Sequence, residues 1–555
     1  MDGWNDMVVI NSSVSELNRI LKKTLSIEKY FDICFRYGID VEGDNTGLTF
    51  EITSDRVEIA SKYSLASVLG ALLGIKVHRA DGISSKRMAA RITETDRPFV
   101  NLLKVDLFTP VGEDLNDLII LQDKFDATIG RRRASAAIGM FDFNKIKFPI
   151  TYTNTNSSKV KFVPLGCDNP KIYTEIMSDT EQGRSYGHLV GKEAVVWKQA
   201  DGSIFAMPPV INADHASVTK GTRSMFLDIT GKDRWTVNSL TKALMFNMQF
   251  IGKVSLVKPI YSTKSIDTQI SLKSPTFWLN EENILKLLGV RMSLKDAASI
   301  LEAMDYTVQS GAGNLAVTPP FYRQDVIHQV DIIDDLLRYY GVDMIKPGPL
   351  PAHTFGSKLP GSNLIDNMRD ILIGFGYQEL DLNVLTNKKY QIYKTGIKVS
   401  APVELVGIKS GEIDMARANL IPELLRFVSN NSRKKFPQDL FDIGFVMKKN
   451  KSDVVFKNEL HLCIASCYTD SNLSDVRVVI ERLLSDSFGK HQVTIRKDQS
   501  VDGFREMFIS ERFGAVYYGD VKVGVIGEIH PRVLNAFGIE VPISAAEIWL
   551  DAFGL

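Results

Sequence analysis

The sequence predicts a multidomain α+β protein, and three observations support this fold class. The chain has 555 residues, which is more than one hydrophobic core can serve, so we expect about three or four domains. Segments with helical periodicity and strand-like segments follow one another along the chain without an internal repeat. The apolar fraction of 44% is ordinary for a folded globular protein.

The charge balance limits the partners that the chain can attract. Lys plus Arg and Asp plus Glu number 66 each, so no global field draws the protein to nucleic acid or to a membrane. Any contact with RNA must then be local or shared with a partner.

The cysteines and the apolar segments indicate where the protein resides. Only four cysteines are present, too few and too scattered for a disulfide framework, which favours a reducing compartment. Cys463 and Cys467 lie close together in an apolar run, which favours a buried strand over a zinc site. The N-terminus lacks a signal-peptide pattern, and the longest apolar stretch, 65–77, is too short to span a bilayer. We therefore expect a cytoplasmic protein without a membrane segment.

Residues 1–85 predict a small α+β domain. Ser13 and Glu16 have the spacing of a helix capping box, and apolar residues follow at helical spacing. An alternating run at 48–52 predicts a strand, and a second amphipathic helix follows over 65–72. A polar linker over 79–86 would end the domain.

Residues 88–268 predict a strand-rich α+β domain. Strand-like runs occupy 136–143, 162–165, 194–198, 204–207 and 225–229. One helix carries apolar residues over 115–125, and Gly130 follows it as a candidate left-handed cap.

Residues 272–350 and 355–555 predict two further domains. The first has helices over 280–288 and 293–304, a hairpin over 307–318 and then an acidic helix, which is close to a winged-helix order. The second opens with a helix that stops at Gly376 and continues with strands and helices suited to an antiparallel sheet with flanking helices.

The acidic helix is the most informative segment of the chain. Its aspartates Asp331, Asp334 and Asp335 stand at i, i+3 and i+4, with Asp325 shortly before them. On a helix these three share one face, so their charges repel unless a cation, a basic partner or a helix N-terminus compensates. The alternative is a solvated acidic face beside Arg323 and Arg338.

Taken together, the longer sequence segments resemble a known family, the archaeal and eukaryotic type of phenylalanine-tRNA ligase beta subunit. The resemblance covers essentially the whole chain in the family's order. The segments that carry it are SDRVEIASKYSLASVLGALLG, GRRRASAAIGMFDFNKIKFPITYT, GRSYGHLV, MPPVINADHASVT, TRSMFLDITGKD, YRQDVIHQVDIIDDLLRYYGVD, LIPELLRFVSNNSRKKFPQDLFDIG and GEIHPRVLNAFGIEVPISAAEI.

The resemblance implies that the four aspartates, Asp325, Asp331, Asp334 and Asp335, are magnesium ligands in the winged-helix-like domain. Carboxylate and water oxygens suit this hard cation. Relatives commonly have glutamate at the position of Asp334, so its shorter side chain would bind through water.

The resemblance also implies that 88–268 is an editing domain, which hydrolyses tRNA(Phe) charged with tyrosine. An apolar phenylalanine pocket rejects a substrate with an added hydroxyl only weakly, so a second site is useful. Asn212, Asp228 and Thr230 occupy the family positions that line this editing pocket. The alternative is that they are turn and cap residues at strand ends.

Arg131, Arg132 and Arg133 follow the helix of the strand-rich block and are candidates to bind the acceptor end or phosphates of tRNA. Three arginines at a helix end are equally consistent with a solvated face, or with compensation of the helix dipole.

For the last block the resemblance implies a degenerate, catalytically silent copy of the class II synthetase fold. Arg417 resembles the arginine that binds the ATP α-phosphate in active copies, but the glycine-arginine pattern near the C-terminus is missing. Charging of tRNA(Phe) with phenylalanine, driven by ATP, would then take place on an alpha subunit in an alpha2beta2 heterotetramer.

Two other interpretations stay open at this stage. The chain could be a structural or RNA-binding subunit whose editing pocket has decayed, in which case tyrosine-charged tRNA is not deacylated. It could also be an independent metal-dependent hydrolase, whose activity would need no partner and would be lost on Asp331→Ala.

Overall fold

The computed structural model describes residues 8–261, 270–311, 313–348, 355–399, 401–407, 411–449, 456–489 and 492–554. They divide into two compact units, Met1–Pro349 and Leu350–Leu555. Both units mix helices with sheets, which confirms the predicted α+β class. Two of the predicted domain boundaries, at 268 and 350, lie outside the described residues.

Within the described ranges, no helix has the length and apolar character needed to cross a bilayer.

The first unit begins with a three-stranded sheet of order β1-β3-β2 covered by helices. Its elements are β1 (Val8–Ser12), α1 (Val14–Leu21), α2 (Ile27–Tyr37), β2 (Asp40–Gly43), β3 (Leu48–Ile52) and α3 (Lys62–Leu72). Ser13 caps α1, since its hydroxyl accepts a hydrogen bond from the Glu16 backbone N–H. This is one of the two hydrogen bonds of the predicted capping box. The second one does not form, because the Glu16 carboxylate accepts hydrogen bonds from Ser12 and Lys62 instead.

A nine-stranded sheet follows in the same unit, with the order β12-β11-β10-β7-β4-β14-β5-β13-β6. The elements of this region are β4 (Ser84–Ile92), β5 (Phe99–Leu107), α4 (Leu115–Ala127), β6 (Ala136–Asp142), β7 (Ile150–Thr155), β8 (Lys161–Phe162), β9 (Lys171–Ile172), α5 (Tyr173–Asp179), α6 (Glu181–Tyr186), β10 (Ala194–Lys198), β11 (Ile204–Met207), β12 (Ile211–Asn212), β13 (Ser224–Gly231), α7 (Arg234–Met248) and β14 (Gly252–Tyr261). The strand predicted over 162–165 is shorter than expected, because Pro164 makes only an isolated bridge to Ala213.

The small sheet and the nine-stranded sheet share one hydrophobic core. Leu17, Phe50 and Leu65 from the first region pack in the same buried cluster as Phe125 and Leu227 from the second. Burial of side chains of this size stabilises a fold by about 1.5–3 kcal/mol each, so the two regions stabilise one another.

The last region of the first unit has two helices, a hairpin and a third helix, in the predicted order. Its elements are β15 (Phe277–Leu279), α8 (Glu281–Leu288), α9 (Leu294–Ala303), β16 (Thr307–Ser310), β17 (Leu315–Thr318) and α10 (Gln329–Tyr340). Helix α10 contains Asp331, Asp334 and Asp335, and Asp325 lies in the segment before it.

The second unit contains a seven-stranded sheet of order β18-β21-β22-β26-β25-β24-β23, antiparallel except where β18 joins β21. Its elements are α11 (Pro360–Gly374), β18 (Gln378–Glu379), β19 (Leu385–Thr386), β20 (Met415–Ala416), α12 (Ile421–Asn430), β21 (Gln438–Lys449), β22 (Phe456–Cys467), α13 (Leu473–Phe488), β23 (Val493–Arg496), β24 (Phe508–Tyr518), β25 (Val521–Ile529), α14 (Pro531–Phe537) and β26 (Ile543–Trp549). Cys463 and Cys467 are buried and free in β22, as the apolar run predicts.

Candidate functional site

A cavity of about 250 Å³ opens between α4, the edge strand β6, its neighbour β13, and the loop before β12. Asn212, Asp228, Thr230 and Arg133 all contribute to its lining. Asp228 and Thr230 stand two residues apart on β13, so both side chains leave the same face of the strand. The structure thus brings together residues that are far apart in the sequence, in a space large enough for more than single waters.

Asp228 is the most deeply buried carboxylate of this cavity, with 1% of its surface exposed. Its Oδ2 accepts a hydrogen bond of 2.9 Å from the indole Nε1–H of Trp197. Its Oδ1 has no hydrogen-bond partner among the described residues. A buried oxygen without a partner costs about 1–3 kcal/mol, which a ligand that donates to it would recover.

Gly139 makes the position of Asp228 possible. The two residues pair across β6 and β13. A Cβ atom at Gly139 would overlap Asp228 Oδ1 and would lie 2.7 Å from Phe141 Cζ. The strand therefore lacks a side chain at the point where the carboxylate needs the space.

Burial, helped by the negative charge of Asp126, raises the pKa of Asp228 to about 7. The hydrogen bond from Trp197 and the positive charge of Arg97 oppose this rise. Burial likewise raises the pKa of Asp126 to about 6, although Arg133 lowers it. A carboxyl whose pKa is raised into the neutral range at the wall of a cavity, as for Asp228, is a candidate for a functional site.

Thr230 adds a second unsatisfied group to the cavity. Its hydroxyl is buried and makes no hydrogen bond of good geometry in the described part of the chain, although it lies close enough to the Tyr152 hydroxyl to oppose the rise in the pKa of Tyr152 that burial causes. Its backbone carbonyl accepts a 3.0 Å hydrogen bond from Arg97, whose guanidinium also bonds to the carbonyl of Arg133. Arg97 thereby fixes β13 to the loop that follows α4.

The loop after α4 does not have the left-handed cap at Gly130 that the sequence predicts. The left-handed residues are Arg131, Arg132 and Arg133, with φ values of 50°, 52° and 65°, whereas Gly130 is not left-handed. Gly130 is needed for another reason, because a Cβ atom there would lie 2.6 Å from the Ala136 carbonyl oxygen. Consecutive left-handed residues with side chains cost of order 1–3 kcal/mol each and are typical of functional sites.

The three arginines have different environments. The Arg133 guanidinium forms an ion pair of 2.8 Å with Asp126 and donates to the carbonyls of Pro209 and Val210 at 3.4 and 3.1 Å. It therefore holds the wall of the cavity in place and is occupied by protein groups. Arg131 and Arg132 are exposed and stay candidates for RNA binding.

Sequence reasoning missed Gly139, Trp197 and Asp126. A glycine inside the apolar run AAIGMFD was a usable signal, because a strand glycine often marks a close approach. Trp197 contacts Asp228, and Asp126 contacts Arg133, only through tertiary packing. No local sequence pattern indicates these contacts.

The four aspartates of the acidic segment do not converge on one point. Asp331 caps α10, since its Oδ2 accepts hydrogen bonds of 2.8 Å from the Ile327 and His328 backbone N–H groups. Asp334 is exposed and pairs with Arg338 at 2.8 Å. The compensation that the like charges need comes from a helix N-terminus and from basic partners.

Asp335 and Asp325 share one guanidinium. Arg323 Nη1 lies 2.7 Å from Asp335 Oδ2, and Arg323 Nη2 lies 2.7 Å from Asp325 Oδ2. Asp335 also accepts a 2.5 Å hydrogen bond from the Tyr306 hydroxyl. Burial alone would lower the pKa of Arg323, but Asp335 and Asp325 raise it well above its usual value.

These carboxylates do not fit a magnesium ion as they stand. Each one already has protein partners, and the described residues contain no group of three or more His, Cys, Asp or Glu side chains that could hold a metal. Magnesium stays a prediction for this segment.

In the second unit, Arg417 is buried and fully engaged. It forms an ion pair of 3.0 Å with Asp442 and donates to the carbonyls of Phe445 and Leu382, each at 2.8 Å. Gly444 leaves room for this guanidinium, since a Cβ atom there would overlap it. Arg417 is therefore not free to bind a phosphate.

Two family models match the chain. The model described as phenylalanyl tRNA synthetase beta chain CLM domain matches residues 348–550. The model described as tRNA synthetase B5 domain matches residues 278–342.

Curated relatives and a solved structure agree with these matches. Proteins named phenylalanine–tRNA ligase beta subunit are 31% identical in Pyrococcus furiosus, over 97% of this chain and 98% of that protein, and 28% identical in Methanocella arvoryzae, over 98% and 100%. A crystal structure of an N-terminal fragment of the phenylalanyl-tRNA synthetase beta subunit from Pyrococcus horikoshii is 29% identical, with a TM-score of 0.55. It covers 60% of this chain and 99% of the fragment.

Two neighbouring aspartates of α10 provide a matched test of the buried ion pairs. We expect Asp335→Ala to lower the free energy of unfolding of its region by about 3–5 kcal/mol, because it leaves the Arg323 charge buried with one partner fewer. Asp334→Ala removes only an exposed pair and should cost less than about 1 kcal/mol. Urea unfolding followed by hydrogen exchange in β15–β17 and α10 measures both losses of unfolding free energy. Equal losses for the two variants would contradict the expected difference between the buried and the exposed ion pair.

Substitution of Gly139 tests the packing over Asp228. We expect Gly139→Ala to break the hydrogen bond between Trp197 and Asp228 and to cost about 1–3 kcal/mol through overpacking. Gly221→Ala is the control, because a Cβ atom there meets nothing within 4 Å. Tryptophan fluorescence and thermal unfolding report the two effects, and a Gly139→Ala protein with unchanged fluorescence and stability would show that the space is not needed.

Proposed function

The chain belongs to the phenylalanine–tRNA ligase beta subunit family, and from this membership we propose that it hydrolyses tRNA(Phe) mischarged with tyrosine in the Asp228 cavity. The unpartnered Oδ1 of Asp228 carries the proposal. The tyrosine hydroxyl would donate a hydrogen bond to this oxygen, which distinguishes tyrosine from phenylalanine. The ammonium group of the amino acid is the alternative donor, and it would not distinguish the two.

The discrimination between tyrosine and phenylalanine follows from the polar atoms of the cavity. A bound phenylalanine ring has no group to donate to a carboxylate, so it leaves that oxygen unpaired at a cost of about 1–3 kcal/mol. A site that hydrogen-bonds the tyrosine hydroxyl therefore discriminates tyrosine from phenylalanine strongly. An apolar pocket that must exclude the same hydroxyl discriminates between the two amino acids only weakly.

The reaction would be hydrolysis of the ester between the amino acid and the tRNA 3′ end, which releases tyrosine and uncharged tRNA. The hydroxyl of Thr230 would orient the attacking water, and Asn212 lines the cavity beside the loop held by Arg133. Arg131 and Arg132 are exposed on the strained loop and would bind phosphates of the acceptor end.

The second unit would support aminoacylation without performing it. Arg417 is held by Asp442 and by backbone carbonyls, so it cannot also hold an ATP phosphate. We propose that ATP-dependent charging takes place on an alpha subunit, in an alpha2beta2 assembly in the cytoplasm. Loading of phenylalanine by this chain alone would contradict that division of labour.

A structural or RNA-binding subunit with a decayed pocket is the second candidate. It predicts that the assembled ligase does not deacylate tyrosyl-tRNA(Phe). The intact space over Gly139 and the unpartnered polar atoms favour an active pocket, because a decayed one would gain stability by filling the cavity.

The pH dependence of editing tests the role of Asp228. Because its pKa is raised to about 7, the carboxylate that accepts hydrogen bonds forms only as the pH rises through about 7. We expect deacylation of tyrosyl-tRNA(Phe) to increase over this range, and Asp228→Asn to be about 10- to 100-fold slower, as for a lost hydrogen bond to a charged group.

Initial rates of the assembled ligase between about pH 5.5 and 8.5 measure this profile. Asp228→Asn also corrects for the hydroxide-driven hydrolysis that any ester undergoes, and the exposed Asp168→Asn serves as the matched control. A profile shared by the wild type and Asp228→Asn would exclude Asp228 from the reaction.

A further inference from the structure

In the second unit, three cations surround a single aromatic ring. The charged groups of Lys389, Lys394 and Arg426 lie 5.9, 5.1 and 4.6 Å from the ring centroid of Tyr390. Burial lowers the pKa of Lys394, and the neighbouring charge of Lys389 lowers it further. The cations repel one another, so an anion placed among them would be stabilised.

The surrounding carboxylates do not neutralise these cations. Arg426 Nη1 lies 3.6 Å from Glu423 Oε2, but Glu423 is buried and also accepts hydrogen bonds from Thr386 and Gln391. Lys389 and Lys394 have no ion pair within the ranges that the structure describes. The local excess of positive charge contrasts with a chain that is neutral overall.

Three further cations follow the end of α12 in the sequence. Arg433, Lys434 and Lys435 are all exposed there, and the following Phe436 packs against the same hydrophobic cluster as Tyr390. Tyr393, from the same turn as Lys394, is 74% exposed. We call this surface the Tyr390 patch, formed by Lys389, Tyr390, Tyr393, Lys394, Arg426 and 433–435.

We propose that the Tyr390 patch binds the phosphate backbone of RNA, with the exposed tyrosine available for stacking on an unpaired base. Unpaired lysines and arginines bind phosphates through release of counterions, and aromatic faces stack on bases of any sequence. An RNA partner is favoured over an acidic protein because the family acts on tRNA. The proposal does not depend on hydrolysis in the Asp228 cavity, which lies in the other unit.

Binding of an uncharged tRNA(Phe) transcript to the full chain tests the patch. We expect Lys389→Gln/Lys394→Gln to bind about tenfold more weakly at low salt, as for the loss of hydrogen bonds to charged groups. Between about 50 and 200 mM salt, the slope of log affinity against log salt should fall by roughly 1.5, because two phosphate contacts are lost. Filter binding or fluorescence anisotropy measures both quantities.

The matched control is Arg477→Gln/Arg482→Gln, which removes two exposed cations from the second unit, whereas Lys389 is exposed and Lys394 is half-buried. These arginines pair with Glu481 and Asp486 along α13, so their removal should leave RNA binding unchanged. An equal loss in both double variants, or no loss in either, would overturn the proposal. So would intact RNA binding combined with impaired assembly with an alpha subunit, because the patch would then be a protein interface.

The same variants separate this proposal from the editing proposal. Tyrosyl-tRNA deacylation measured at saturating RNA should be unchanged in Lys389→Gln/Lys394→Gln, while Asp228→Asn should keep the wild-type affinity for uncharged tRNA.

Discussion

The desolvation of one carboxylate, Asp228, is the constraint on which the candidate site depends. A carboxylate that is 1% exposed tolerates its burial only if the surrounding groups satisfy it. Trp197 satisfies one oxygen, the missing side chain of Gly139 provides the space, and Arg97 supplies a nearby positive charge. The remaining oxygen is buried over Gly139 without a hydrogen-bond partner among the described residues, beside the cavity that Asp228 lines. In the proposed function, a ligand that donates a hydrogen bond to this oxygen would recover the cost of leaving it unpaired.

Arginines that the sequence associates with phosphate or RNA form ion pairs with carboxylates of the same chain. Arg133 pairs with Asp126, and Arg417 pairs with Asp442. Arg323 similarly forms ion pairs with Asp325 and Asp335, two of the four aspartates that were expected to bind magnesium. In each case a buried carboxylate of the same chain takes the place of an external ligand, so these arginines hold structure together. The cations that stay candidates for RNA binding are the exposed Arg131 and Arg132 in the first unit and those of the Tyr390 patch in the second, of which Lys394 and Arg426 are half-buried.

The sequence predicted the elements that local patterns determine and missed the contacts that tertiary packing determines. The helices, the hairpin and their order near α10 depend on caps and periodicity, and they form where expected. The resemblance to the family located Asn212, Asp228 and Thr230, which lie around one cavity. It could not show that Gly139 accommodates Asp228, nor that Arg133 turns inward, because both depend on the pairing of β6 with β13. The left-handed turn was misassigned to Gly130 because glycine usually adopts it, whereas backbone hydrogen bonds impose it on the three arginines.

Binding of two non-hydrolysable analogues tests most directly whether the cavity selects the tyrosine hydroxyl. The analogues carry tyrosine or phenylalanine linked through an amide to the 3′ position of adenosine, and calorimetry with the full chain measures both affinities. The unpaired oxygen of Asp228 predicts that the tyrosyl analogue binds about 5- to 150-fold more tightly, from the 1–3 kcal/mol cost of leaving that oxygen unsatisfied. Equal affinities, or tighter binding of the phenylalanyl analogue, would contradict an editing role for this cavity.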